Sequence, residues 1–185
     1  VNNYTFDKII EVIKSLKNIR IHVVGDLIID THNECEAVAG LHKSPTLSLI
    51  KKNSNSYLGG AGIVAAHFAS FSKNVTLTTV INNDKLGKLA KKTLKKYKVN
   101  LNSIYEYDRP TTEKSIYISK DHNLLKVNNV SNQPISNTSL DKIKKKLKND
   151  KYDILVVADY RHGIFNNQSC KEIIKAINKK TFKAA

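Results

Sequence analysis

Three glycines, Gly59, Gly60 and Gly62, open the stretch YLGGAGIVAAHFASF (Tyr57 to Phe71), and two carboxylates, Asp26 and Asp159, each follow a short apolar run. Glycine permits backbone angles closed to other residues and lets a ligand come within reach of main-chain N–H groups. A helix start leaves unpaired donors and a partial positive charge, so hydroxyls, phosphates or carboxylates can dock there. A glycine pair before a helix is equally a turn made for tight packing. Asp26 comes after Ile21 to Val24 and Gly25, and the carboxyl end of a buried strand is where open α/β sheets place ligands. Position alone fits a ligand-binding Asp26 and a turn-capping one alike. Asp30, four residues on, repeats the ambiguity.

Holding such groups in place takes alternating helices and strands. An amphipathic helix is predicted over 5–17, with Thr5 as a cap and Phe6, Ile9, Ile10 and Ile13 on one face. The apolar strand Ile21 to Val24 follows. Residues 31–58 read as short inserted strands, with Pro45 as a breaker and Asn53 to Ser56 as a loop. The glycine turn then leads a helix with Val64, Phe68 and Phe71 on one stripe. Val75 to Ile81 is a second core strand, and Asn82-Asn83-Asp84 introduces a helix with Leu86, Leu89, Ala90, Leu94 and Tyr97 aligned. Strands return between Tyr105 and Val130, with a turn at Lys120-Asp121. Capping residues 136–139 precede a helix through Leu140, Ile143 and Leu147. Asp153 to Ala158 is a third core strand, and a last helix carries Cys170, Ile173, Ile174 and Ile177. Strands separated by helices predict an α/β fold with a parallel sheet, right-handed crossovers and a small β appendage. Asp26, Asp159 and the glycine turn would then share one sheet edge.

At 185 residues, 41% of them hydrophobic, the chain fits one domain with a real core. No apolar run approaches a membrane span and no signal peptide precedes the first helix, which predicts a cytoplasmic protein without a membrane partner. Cys35 and Cys170 have neither metal-ligand nor disulfide-framework spacing, and no metal site is expected. The formal charge of +15 invites a nucleic-acid partner. Its distribution argues for solvated helix faces instead, with Lys91, Lys92, Lys95, Lys96 and Lys142, Lys144, Lys145, Lys146 in runs and no aromatic platform among them. The chain begins at Val1 and contains no methionine, so it reads as a segment of a longer protein.

Five blocks in register carry a resemblance: VVGDLIID (Val23 to Asp30), LGGAG (Leu58 to Gly62), VINNDKLG (Val80 to Gly87), RPTTEK (Arg109 to Lys114) and VVADYRHG (Val156 to Gly163). With them the chain resembles the ribokinase-like PfkB carbohydrate kinases, and within them the heptose 7-phosphate kinase type of lipopolysaccharide-precursor synthesis. The resemblance implies a three-layer α/β/α sandwich with a parallel sheet and a β lid (about 34–58 and 112–130), ending before the ATP-site half. It implies an ATP-dependent kinase using Mg2+, a sugar or sugar-phosphate acceptor, and a possible homodimer through the lid. Substrate-binding roles are implied for Asp26, Asp30, Gly59, Gly60, Arg109 and Asp159, with Gly62, His67 and Lys114 as further candidates. Arg109 would meet a sugar phosphate or lie solvated before its proline. Lys114 would assist or stand exposed on its strand. His67 would supply a polar contact or pack in the core. Ile63 departs from the family, which usually has Asn there. No GAGD-like segment follows Gly163, so no catalytic residue is assigned and the segment alone is expected to lack kinase activity. The alternative readings are a non-catalytic sugar-phosphate-binding module and, from another class, a charge-driven nucleic-acid binder.

Overall fold

The structure is a computed structural model and describes residues 5–38, 46–177 and 182–184. Residues 39–45, inside the first predicted insertion and including Pro45, lie outside the described residues, as do Val1 and Ala185.

The elements in chain order are α1 (Phe6–Leu16), β1 (Arg20–Gly25), β2 (Leu27–Val38), β3 (Ser48–Gly59), α2 (Gly60–Phe68), β4 (Asn74–Ile81) and α3 (Lys85–Lys96). They continue with β5 (Asn100–Tyr105), β6 (Glu113–Ser119), β7 (His122–Asn129), α4 (Asn137–Asn149), β8 (Ile154–Ala158), α5 (Asn167–Ala176) and β9 (Phe182–Ala184). Among the described residues a parallel five-stranded sheet runs β5-β4-β1-β8-β9, and a second sheet runs β3-β2-β6-β7.

Successive residues of a buried strand point to opposite faces, and β1 feeds two cores in this way. Val23 joins Leu77, Ala61, Ala65, Ala90 and Leu94 beneath α2 and α3. Val24 joins Leu155, Ile143, Leu147 and Ile173 beneath α4 and α5. Three layers result, so the fold is α/β as the strand and helix periodicities predict. The helices on the two faces carry apolar stripes at the right spacing, and α3, α4 and α5 are capped by side chains that take up orphan amides. Ser136 accepts from Ser139 N, and Asn166 and Ser169 form a capping box.

Several local expectations change. β2 and β3 are long strands, and Asn53 to Ser56, expected as a loop, lies within β3. Its antiparallel ladder with β2 satisfies the backbone whatever the side chains, and an edge strand facing water on both sides can be polar. The second sheet therefore begins at Leu27, directly beyond Asp26. The Lys120-Asp121 turn joins β6 to β7 with both φ values positive (47° and 64°), the geometry of a tight hairpin. In α2 the buried face is Gly60, Ala61, Gly62, Ala65 and Ala66, while Val64 and Phe68 pack only at its rim. Small residues let the helix axis approach the sheet. The apolar face of α1 stays in solvent, with Phe6, Ile9 and Ile13 exposed, and Thr5 makes no side-chain cap.

Candidate functional site

Asp26 sits where β1 passes into β2 and is 3% exposed. Its Oδ2 accepts hydrogen bonds from the amides of Tyr160 (3.0 Å) and His162 (3.2 Å), and its Oδ1 from Ile164 (3.4 Å). Arg161 and Gly163 have positive φ (62° and 99°), which coils the 160–164 loop so that alternate amides turn inward onto this carboxylate. The Asp26 carbonyl accepts from Ala61 N at 2.9 Å, and its amide donates to the Ala158 carbonyl at 3.1 Å. Asp26 thus ties β1, β8 and the start of α2 together. Its carboxylate takes up three backbone amides, the turn-capping role that strand-end position left open.

Gly60 has φ +53°, and a Cβ there would strike the Asp26 carbonyl oxygen that Ala61 needs. Gly60→Ala is expected to cost about 2 kcal/mol or more, from left-handed strain plus that collision, read as a lower urea midpoint. A variant unfolding at the wild-type midpoint would remove the geometric requirement. Gly62 is a packing residue: a Cβ would press on Leu58 Cδ2 at 3.2 Å.

Asp30 differs from Asp26. It is half-buried on β2, and among the described residues no hydrogen bond or ion pair engages its carboxylate. Its Oδ2 occupies the space that a side chain on Gly59 would fill. In the sheet it stands beside Tyr57 on β3 and Lys114 on β6, so carboxylate and ammonium share one face next to the glycine pair. A Cβ at 59 would displace the Asp30 carboxylate rather than strike backbone.

Sequence reasoning passed over a histidine in the 160–164 loop. His162 Nδ1 lies 2.8 Å from Asn132 Oδ1, while Nε2 is buried without a protein partner. Burial and the Lys114 charge push its pKa down, Asp26 and Asp159 oppose this, and Arg109 adds to the lowering. All four charges therefore bear on one imidazole. Nothing local in DYRHG signals this, because the neighbours come from separate segments.

The remaining candidates separate. The Arg109 guanidinium, expected to meet a phosphate or lie solvated, is not solvated: its side chain is 10% exposed and bonded to protein groups. Nε pairs with Glu106 at 3.2 Å, Nη1 donates to the His162 carbonyl, and Nη2 donates to the Gln133 carbonyl and Ser131 Oγ. Although burial acts to raise it, the Glu106 pKa is held low by hydrogen bonds from Ser139 and Ser136 and by Arg109. Asp159 is exposed and accepts from Arg161 N at 2.8 Å, capping its own loop. His67 is exposed on the last turn of α2, about two turns from Gly60, so it neither reaches the glycine pair nor fills the core. Asp84, read only as a helix start, caps α3 through Gly87 N (2.7 Å) and holds Thr111 N (2.9 Å), so it also fixes the loop entering β6.

Among the described residues no group of three or more His, Cys, Asp and Glu is placed to hold a metal ion, and no helix is long and apolar enough to cross a membrane. Cys35 and Cys170 are free thiols.

Residues 18–185 match the pfkB family carbohydrate kinase family. The bifunctional protein HldE of Sulfurimonas denitrificans is 30% identical over 169 residues, which cover 89% of this chain and 35% of that protein. HldE of Aliarcobacter butzleri is also 30% identical, covering 90% and 36%. The chain thus spans about a third of the length of these relatives. Among solved structures, Arabidopsis thaliana ribokinase complexed with ribose and ATP superposes with a TM-score of 0.59 at 18% identity, over 88% of this chain and 51% of that one. Escherichia coli phosphofructokinase-2 in complex with fructose-6-phosphate gives 0.64 at 13% identity, over 90% and 55%. At those identities the likeness is one of fold.

Proposed function

Since the chain belongs to the pfkB carbohydrate kinase family, we propose that it supplies the acceptor-binding part of an ATP-dependent kinase acting on a sugar or sugar phosphate, in the cytoplasm. The observation that carries the reading is the unengaged Asp30 carboxylate against Gly59, with Lys114 beside it. A carboxylate without protein donors accepts from two vicinal hydroxyls, and the glycines admit a ring close to the backbone. Lys114 gives the site a cationic side suited to an acceptor that already bears a phosphate. Asp26 and Arg109 act behind this surface, by fixing the loop that carries His162. Ile63, half-buried against the core, brings no hydrogen bond where the family usually has Asn, so the acceptor is held chiefly from the Asp30 side.

In the transfer an acceptor hydroxyl attacks the γ-phosphorus, the bond to the β–γ bridging oxygen breaks, and ADP leaves as the hydroxyl proton passes to a base. ATP supplies the phosphoryl group, and Mg2+ would neutralise its charge. Among the described residues no metal-ligand cluster converges on the site, so Mg2+ is not assigned to them and no base is named. Pairing through the lid belongs to the same proposal, since Ile50 and Tyr57 on β3 expose half of their surface or more, and light scattering would report it.

The test is coupled ATP turnover by the full-length protein over a panel of sugars and sugar phosphates. Turnover is expected with a phosphorylated acceptor, and Asp30→Ala should raise the acceptor KM about tenfold or more, since a charge-assisted hydrogen bond is worth about 1.5–3 kcal/mol. Acceptor binding without turnover would establish the non-catalytic module instead. An unchanged KM in Asp30→Ala would remove Asp30 from the site.

A further inference from the structure

The opposite face of the lid sheet carries a second recess. Asp30 and Thr31 are neighbours on β2 and so point to opposite sides of the sheet. On the Thr31 side a cleft of about 650 Å3 lies between the sheet and α3. Lys85, Lys88 and Lys92 line it from α3, at the i, i+3, i+7 spacing that puts them on one helix face, and Lys51 reaches it from β3. None of the four ammoniums is in an ion pair or hydrogen bond among the described residues. Elsewhere the surface lysines Lys52 and Lys144 do find carboxylates.

Among the described residues the only acid lining the cleft is Glu113, and one of its oxygens accepts from Thr31 Oγ1 at 2.7 Å. The floor is polar and pre-formed. Thr31 is hydrogen-bonded to Ser56 at 3.0 Å, and Ser54 donates to Asn33 Oδ1 at 2.9 Å, with Thr31 and Asn33 themselves buried. Leu86, Leu89 and the Tyr117 ring supply apolar wall. Four positive charges around one concave space repel one another unless an anion sits among them, and facing walls concentrate their field.

We propose that this cleft binds a small polyanion carrying two or more phosphate groups, which bridges the lid (Lys51) and the core (Lys85, Lys88, Lys92). One phosphate could be held by α3 alone. Spanning from α3 to β3 requires charge at both ends of the ligand. The site faces away from Asp30 and does not depend on the acceptor-site reading.

Inorganic tripolyphosphate is the probe, titrated calorimetrically into the full-length protein at about 150 mM salt, where loose surface attraction is screened within about 8 Å. Saturable binding is expected. Lys88→Glu/Lys92→Glu should weaken it at least tenfold, whereas the charge-matched control Lys142→Glu/Lys145→Glu on exposed α4 should change it less than twofold. Hydrogen exchange with the probe bound should slow in both β3 and α3. Equal weakening by the two double variants, absence of saturable binding, or protection confined to α3 would each overturn the proposal.

Discussion

Asp26→Ala is expected to destabilise the fold by about 4 kcal/mol or more, a large share of the 5–15 kcal/mol that holds a typical domain together. Among the described residues the carboxylate is the sole acceptor for the amides of Tyr160, His162 and Ile164, which lie 134 or more residues away in sequence. Each hydrogen bond to a charged group is worth about 1.5–3 kcal/mol, and truncation would leave those amides unpaired in a buried setting. Arg161 sits at φ 62°, a region costly for a residue with a Cβ, so the coil depends on these bonds together with those from Arg109, Asp159 and Asn132. Asp26→Asn separates anchoring from substrate contact. The amide keeps one acceptor oxygen but turns an NH2 group towards N–H donors, so a loss of about half the alanine effect is expected. Urea denaturation measures both. If Asp26→Ala unfolded at the wild-type midpoint while acceptor affinity collapsed, Asp26 would be a substrate ligand after all. If the loop is what Asp26 secures, hydrogen exchange in 160–164 should rise first.

How far the sequence disclosed this arrangement follows from where each residue's partners come from. β1, β4 and β8 are buried on both faces, so they read as short runs rich in β-branched and apolar residues and were legible. β5 and β9 lie at the sheet's two edges, and NLNSIY has too few apolar positions to mark a strand. The Asn/Ser run of β3 was opaque for the same reason. That Asp26 and the glycine turn share an edge was legible from strand-end position. The roles within that edge were not, because an acid at a strand end looks the same whether amides or a ligand take up its oxygens. Only the return of the 160–164 loop distinguishes Asp26 from Asp30. Arg109 illustrates the same limit. Glu106 at i−3 hints at an ion pair, yet the carbonyls of His162 and Gln133 that complete its cage are supplied by tertiary structure.

Acid should weaken the protein through one histidine at the other end of the sheet. His22 is 1% exposed on β1, with Nε2 2.8 Å from Thr78 Oγ1 and its ring edge-on to Tyr152 at 5.2 Å. Burial lowers its pKa from 6.5 to about 4, Asp150 at 3.6 Å opposes the shift, and Lys146 adds to it. The folded state therefore keeps the imidazole neutral where the unfolded chain would protonate it. Between pH 6.5 and about 4 the unfolded state binds more protons, so stability rises with pH in that window and is lost as pH falls through it. At about 1.36 kcal/mol per pKa unit, the loss by pH 4 is on the order of 3 kcal/mol. Carboxylates titrate in the same range, so the comparison that isolates His22 is with His22→Leu, which cannot protonate. Its urea-derived stability should start lower at pH 7, because Thr78 loses a partner, and then fall less steeply towards pH 4. Converging midpoints at low pH are the expected signature. Parallel curves for the two proteins across the window would mean that Asp150 keeps the ring charged in the folded state and that burial does not set its protonation.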